Sequence, residues 1–287
     1  MEIRTAVVPQ LDYGISTSQF AVLNGTKTYI GPSNLVSRLG TSSAIQGQIL
    51  QMPAPFPNAS YTMTFPGPAI SCSARDPTML IQYYKRFVKA NPGNPFLAYI
   101  SWVPSKLYSN LSVLPNYSSS SDGIWMDSTL DTFSTDSAQI YVFVPRGQSV
   151  DGPYLLLSCS LKDAYYTVSF DFNYPLQNIT VTSLDIGEDI AATTDFFNVS
   201  SSEQEMVQKL LSYQAIMDTF GRILVGYTTT TSSAYLDYRQ NKTTGSLLHM
   251  TAVNSEFGPS ANATLGPALE QLFHNITLSM LTSVELQ

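Results

Sequence analysis

The stretch Tyr154-Leu-Leu-Leu-Ser-Cys-Ser-Leu-Lys-Asp-Ala-Tyr-Tyr-Thr-Val-Ser-Phe-Asp-Phe172 decides the fold class. In its second half, Tyr166, Val168, Phe170 and Phe172 alternate with Thr167, Ser169 and Asp171. Successive side chains of a strand point to opposite faces, so this is a half-buried antiparallel strand with an aromatic and aliphatic face inward. The first half, Tyr154 to Leu161, is a denser apolar run and reads as a second strand. Asn178-Ile-Thr-Val-Thr182 repeats the alternation, with Ile179 and Val181 inward and Asn178 outward.

Working outward, Ile140-Tyr-Val-Phe-Val144 and Phe96-Leu-Ala-Tyr-Ile-Ser-Trp-Val103 read as buried strands, and Tyr61-Thr-Met-Thr-Phe65 alternates like a third. Three segments carry helical spacing instead. Asp76-Pro77 forms an N-cap followed by proline at the first helical position, with Leu80, Ile81, Tyr84, Phe87 and Val88 on one stripe and Asn91-Pro92-Gly93 as the stop. Ser202-Glu-Gln-Glu205 is a capping box before Met206, Leu210, Tyr213, Met217 and Phe220. A last helix runs from Pro267 to Leu281 on Leu269, Leu272, Phe273, Ile276 and Met280, with Asn275 expected on its outer side. Residues 1–57 read as short strands and loops, including Phe20–Leu23 and Thr28–Ile30, packed on the main domain. Gln51-Met-Pro-Ala-Pro-Phe-Pro57 is an extended connector to a β-rich unit over residues 58–287. No internal repeat and no clear linker divides the chain, so the expectation is one β-rich α+β domain, sandwich-like and antiparallel, with about three amphipathic helices.

The chain has 287 residues, of which 44% are hydrophobic and only 12% charged. A typical soluble domain carries about 25% charged residues. Disorder needs low hydrophobicity and high net charge, so it is excluded. With 14 Lys+Arg against 21 Asp+Glu, a broad nucleic-acid footprint is excluded too. Surface polarity must come from elsewhere. Ser and Thr number 36 and 27. Nine of the 14 asparagines open an Asn-x-Ser/Thr acceptor: Asn24, Asn58, Asn110, Asn116, Asn178, Asn198, Asn241, Asn262 and Asn275. Chance at this hydroxyl content gives roughly three. The excess points to a secreted or lumenal protein whose surface is solvated by glycans.

The two cysteines, Cys72 and Cys159, fit that compartment, where a pair is expected to be bridged. No secretory leader opens the chain, and no stretch approaches the roughly 18 apolar residues of a membrane span. A glycosylated chain must still cross a membrane. We therefore expect an excised ectodomain of a longer protein, with Met1 added as a start codon.

Chemistry is sparse. His249 and His274 are the only histidines, and no Gly-x-Ser-x-Gly elbow marks a nucleophile. There is no His-Glu-x-x-His, Cys-x-x-Cys, EF-hand loop, P-loop or dinucleotide fingerprint, and so no cofactor or metal is called for. Asp185, Glu188 and Asp189 read as a solvated acidic loop rather than a calcium site. Asp122, Asp127, Asp131 and Asp136 crowd Trp125, the kind of grouping that a glycosidase or a lectin would use.

At Cys159 the chain resembles a family. Cys159-Ser-Leu-Lys-Asp-Ala-Tyr-Tyr-Thr-Val-Ser-Phe with Gln177-Asn-Ile is similar to Cys-x-Leu-x-Asn-Ala-x-Tyr-x-Val-x-Phe followed by Gln-x-Ile in large fungal multi-pass membrane glycoproteins. Gly67-Pro-Ala-Ile-Ser-Cys72, Tyr213-Gln-Ala-Ile-Met-Asp-Thr-Phe220 and the helix Leu269–Leu281 resemble further parts of that family. The match spans roughly residues 65–281. It implies a glycosylated ectodomain held between membrane helices that lie outside this chain. Such proteins are often labelled formylmethionine deformylase-like, but a deformylase needs His-Glu-x-x-His, and this chain has none. The expected function is thus a non-enzymatic extracellular ectodomain with a structural, sensing or binding role. Cell-wall carbohydrate or other surface proteins are the partner classes. The alternatives are a secreted carbohydrate-active enzyme built near Trp125 and a lectin-like module using exposed Tyr and Trp.

Overall fold

The structure is a computed structural model. It describes residues 17–23, 26–56, 58–78, 81, 85, 96–102, 138–145, 154–173, 176–191, 195–196, 201–224, 226–231, 240–244 and 265–283. These make an α+β fold, mostly β, with every strand pairing antiparallel. The strands are β1 (Ser18–Leu23), β2 (Thr26–Pro32), β3 (Ser60–Ala74), β4 (Phe96–Trp102), β5 (Gln139–Pro145), β6 (Tyr154–Asn173), β7 (Leu176–Asp189), β8 (Asp195–Phe196), β9 (Gly226–Thr231) and β10 (Gln240–Thr244). The helices are α1 (Asn34–Gln46), α2 (Ser201–Leu224) and α3 (Leu265–Ser279), the last continued by a 3₁₀ turn, Met280–Thr282.

The two strands expected within 154–172 are one strand of 20 residues. β6 is the spine of a seven-stranded sheet ordered β10-β9-β4-β5-β6-β3, with β7 joined to β6. β3 pairs along one edge of β6 from Ser60↔Asp171 to Ala74↔Leu157. On the other edge, β5 takes residues 154–160 and β7 takes residues 162–173. The short polar break at Lys162-Asp163 does not interrupt the strand because β3 pairs continuously across it. A three-stranded sheet, β1-β2-β8, lies apart from this one.

Tyr166, Val168, Phe170 and Phe172 are buried, as their alternation requires. Phe65 stacks on Tyr166 and Tyr61 on Phe170 across the strand pair. Helices cover this face: α3 packs on β3, and α1 packs on both α2 and α3. Phe220 of α2 meets Phe273 of α3 edge to face at 5.3 Å. α2 also has a second buried side, where Leu211 and Ala215 pack on Tyr29 of β2. The helix therefore lies between the main core and the small sheet, and its residues 211–221 are buried all round. At its C-terminal end, Tyr99 Oη and Ser101 Oγ of β4 both donate to the carbonyl of Leu224, the last residue of the helix. At its N-terminal end, Met206 is exposed although it lies on the apolar stripe.

Residues 1–57 were expected to hold only strands and loops. α1 corrects this. Ser33 caps it by accepting from Val36 N, and Gly47 ends it in the left-handed region at φ 69°. Its buried residues are Val36, Gly40, Ser43 and Ala44, with Leu35 and Leu39 partly buried against the same core; the apolar period is one turn long and then gives way to small and polar residues. Asp76 begins the expected helical turn, its Oδ1 accepting from Thr78 N and Oγ1, with Ile81 N donating to the Pro77 carbonyl. The rest of that helix lies outside the described residues.

Candidate glycosylation sites and their surroundings

Asn178 and Thr180 stand on the exposed face of β7. Strand geometry puts positions i and i+2 on one side, so both groups that define the acceptor face solvent together. The Thr180 hydroxyl donates to Asn178 Oδ1 over 3.4 Å. Around them the same face is lined with hydroxyls. Ser60, Thr62 and Thr64 are exposed on β3, and Thr167 and Ser169 sit between them and β7 on β6. Thr64 and Thr167 share a hydrogen bond of 3.1 Å across the strand pair. Asn58 lies at the turn into β3, exposed, with φ 57°, a conformation asparagine tolerates. Its partner Ser60 is exposed while Ala59 between them is buried.

Asn275 was expected on the outer side of its helix, and here the structure overturns the expectation. Asn275 is 6% exposed and Thr277 is fully buried. Asn275 Nδ2 donates to the Gly47 carbonyl at the end of α1, while its Oδ1 accepts from Gln271 Nε2 at 2.9 Å. Thr277 Oγ1 donates to the Pro68 carbonyl of β3. The physical reason is that α3 packs on α1 as well as β3, so the flank that carries Asn275 is covered while Pro267 and Gln271, opposite the apolar stripe, stay exposed. A glycan on Asn275 is incompatible with this packing. Asn241 lies in β10. Asn24, Asn110, Asn116, Asn198 and Asn262 lie outside the described residues, as do Trp125, Asp122, Asp127, Asp131, Asp136 and His249.

Cys72 and Cys159 are bridged. They are direct partners in the β3–β6 register, with Cα atoms 4.0 Å apart, so the bond staples the spine to its neighbour at the end where α3 packs. Gly266 of α3 approaches Cys72 closely, and Glu270 accepts a hydrogen bond from Cys72 N at 2.7 Å. A sequence separation of 87 gives a chain-entropy stabilisation of about 4–5 kcal/mol. The bond is consistent with a location outside the cytosol. No helix of the described residues is long and apolar enough to cross a membrane.

Two titratable groups are buried among the helices. Asp218 of α2 is 2% exposed, with Oδ2 3.1 Å from the Tyr29 hydroxyl and 4.0 Å from Arg222 Nη2. Desolvation pushes its carboxyl up to about 7, and Arg222 and the Tyr29 hydrogen bond offset only part of that. Arg222 fits there because Gly31, at φ 143°, has no side chain: a Cβ would come within 2.7 Å of the guanidinium. His274 of α3 packs edge to face on Tyr166 at 5.7 Å, and burial lowers its pKa to about 4.

Asp185, Glu188 and Asp189 are not in a loop but in the last stretch of β7, exposed, with Asp189 paired to Lys162 at 2.8 Å. No group of three or more metal-ligating side chains occurs among the described residues. Sequence reasoning missed what this stretch does locally. It pairs out of register with β6 and leaves a hollow of about 260 Å³ beside Tyr165. The glycine in Asp185-Ile-Gly187, inside a strand, was the available signal.

No family model, no curated protein and no solved structure matches this chain.

Proposed function

We propose that the chain is the glycosylated extracellular domain of a fungal membrane protein, non-enzymatic, with a structural, sensing or binding role. The observation that carries this is the Asn178–Thr180 acceptor, displayed on the hydroxyl-lined open face of a sheet stapled by Cys72–Cys159. A chain with 12% charged residues needs another source of surface polarity, and glycans on Asn58 and Asn178 supply it. The fungal and membrane parts rest on the motif set between residues 65 and 281. Expression in a eukaryotic secretory host tests the compartment: N-glycanase should lower the mass, and unchanged mass would defeat the proposal. Membrane-spanning segments in the parent reading frame on both sides of the chain would support the anchoring. Their absence would remove it.

A further inference from the structure

Where β7 turns acidic, its pairing with β6 steps from Ala164↔Ile186 to Lys162↔Asp189, so Gly187 and Glu188 together face Asp163. This is a bulge, and it re-aims the strand. A Cβ at Gly187 would stand 3.2 Å from the Asp163 carbonyl oxygen, so glycine is what allows the close approach. The hollow beside it is lined by Asp163, Ala164, Tyr165, Asp185, Ile186 and Gly187. Tyr165 is 55% and Ile186 49% exposed, two of the few large apolar side chains that the described surface shows to water.

The two carboxylates in the hollow differ. Asp163 is committed: Oδ2 accepts from Lys209 Nζ at 3.1 Å, and Oδ1 accepts from the Tyr213 hydroxyl and from Ala164 N, each at 3.1 Å. Asp185 is exposed on β7, directly across from Tyr165 in the register. Tyr165 and Asp185, partners in the register, share one side of the sheet, whereas Ile186, the partner of Ala164, lies on the other. That one side thus combines a flat aromatic ring and one carboxylate that can accept hydrogen bonds.

We propose that this hollow is a binding subsite for a neutral pyranose sugar, the apolar ring face lying on Tyr165 and the hydroxyls donating to Asp185, its partner across the strand pair. An aromatic ring with a polar tip suits a ligand that is apolar on its faces and polar at its rim. The volume, below the roughly 300 Å³ at which pockets for drug-sized ligands begin, suits one ring. An organic cation is the competing ligand, but Asp163 already has its cation in Lys209, whose ammonium would repel a second. The proposal rests on the extracellular reading, which places the site among carbohydrates.

The test uses the full chain secreted from a eukaryotic host. Saturation-transfer NMR is run against methyl pyranosides of glucose, mannose, galactose and N-acetylglucosamine, with tetramethylammonium as the cation comparator. We expect binding of at least one pyranoside in about the millimolar range, the scale of one ring on an open site. Tyr165→Ala should weaken it more than tenfold, Tyr165→Phe should retain it, and Asp185→Asn should weaken it. Disulfide mapping of each variant checks that the fold is intact. No transfer to any pyranoside, transfer to tetramethylammonium alone, or binding indifferent to Tyr165→Ala each overturns the subsite. The N-glycan mass of the same sample reads the extracellular proposal separately, so either can fail while the other stands.

Discussion

Asn178 and Asn275 carry the same signal, Asn-Ile-Thr, and meet opposite surroundings. In β7 the asparagine and threonine share a solvent-facing side. In α3 both are packed, and the asparagine is the hydrogen-bond link between α3 and the end of α1. The motif itself could not separate them. The alternation around Asn178 could and did, while the helical wheel around Asn275 misled because a wheel shows one buried stripe and not a second neighbour. The two sites therefore predict opposite mutational outcomes. Asn275→Ala should leave the glycan mass unchanged and cost about 1–3 kcal/mol of stability in urea unfolding, the range for an orphaned buried hydrogen-bond partner. Asn178→Ala should remove one glycan's mass and shift stability by less than about 0.5 kcal/mol, as for a surface change. The reverse pattern would contradict the placement of both side chains.

Among the elements, those with large side chains were legible. The strands at 61–65, 96–102, 140–144, 154–172 and 178–182 and the helices after Ser202 and Pro267 all follow from apolar period. α1 was not, because its large apolar residues, Leu35, Val36 and Leu39, span one turn and the rest of its contacts are made by smallness. A Cβ at Gly40 would meet Thr219 Cγ2 of α2 at 2.5 Å and Ile276 Cγ2 of α3 at 3.3 Å. Gly40 is where three helices converge. On an exposed helix, Gly→Ala stabilises by roughly 1 kcal/mol. At position 40 the sign should reverse, with a loss of about 1–3 kcal/mol from overpacking. Thr219→Ser removes the clashing methyl and should recover part of that loss in the double variant, a non-additivity that a double-mutant cycle measures. A stabilised Gly40→Ala, or strict additivity, would show that α1 sits farther from α2. The caps of α1, Ser33 and Gly47, were readable signals, and Leu35, Val36 and Leu39 fall at helical spacing between them, but this apolar period spans only one turn before small and polar residues take over.

For the whole molecule, strand alternation already indicated the α+β, mostly antiparallel class. The central position of α2 between two sheets was not readable, since a helix buried all round with Gln214, Asp218 and Thr219 in it breaks the amphipathic rule. That burial has a consequence for the pH dependence of stability. Asp218, raised from 3.8 to about 7, holds a proton in the folded state that the unfolded chain has released. Its contribution is fully present below about 3.8 and is lost as pH rises through about 7. His274, lowered from 6.5 to about 4, works in the opposite sense: its contribution is present above 6.5 and is lost as pH falls through about 4. Each slope is about 1.4 kcal/mol per pH unit, so between about pH 4 and 6.5 the two offset each other. Urea midpoints measured across this window should rise with pH in Asp218→Asn and fall with pH in His274→Gln, each relative to the unsubstituted chain. Variants that run parallel to it would remove the two groups from the account.

The central claim, an extracellular domain whose sheet face displays its glycans, is tested most directly by glycopeptide mapping of protein secreted from a eukaryotic host. The prediction is occupancy at Asn178 and Asn58, none at Asn275, and a Cys72–Cys159 cross-link in the same digest. A naked Asn178 together with a glycan on Asn275 or free thiols at both cysteines would contradict it.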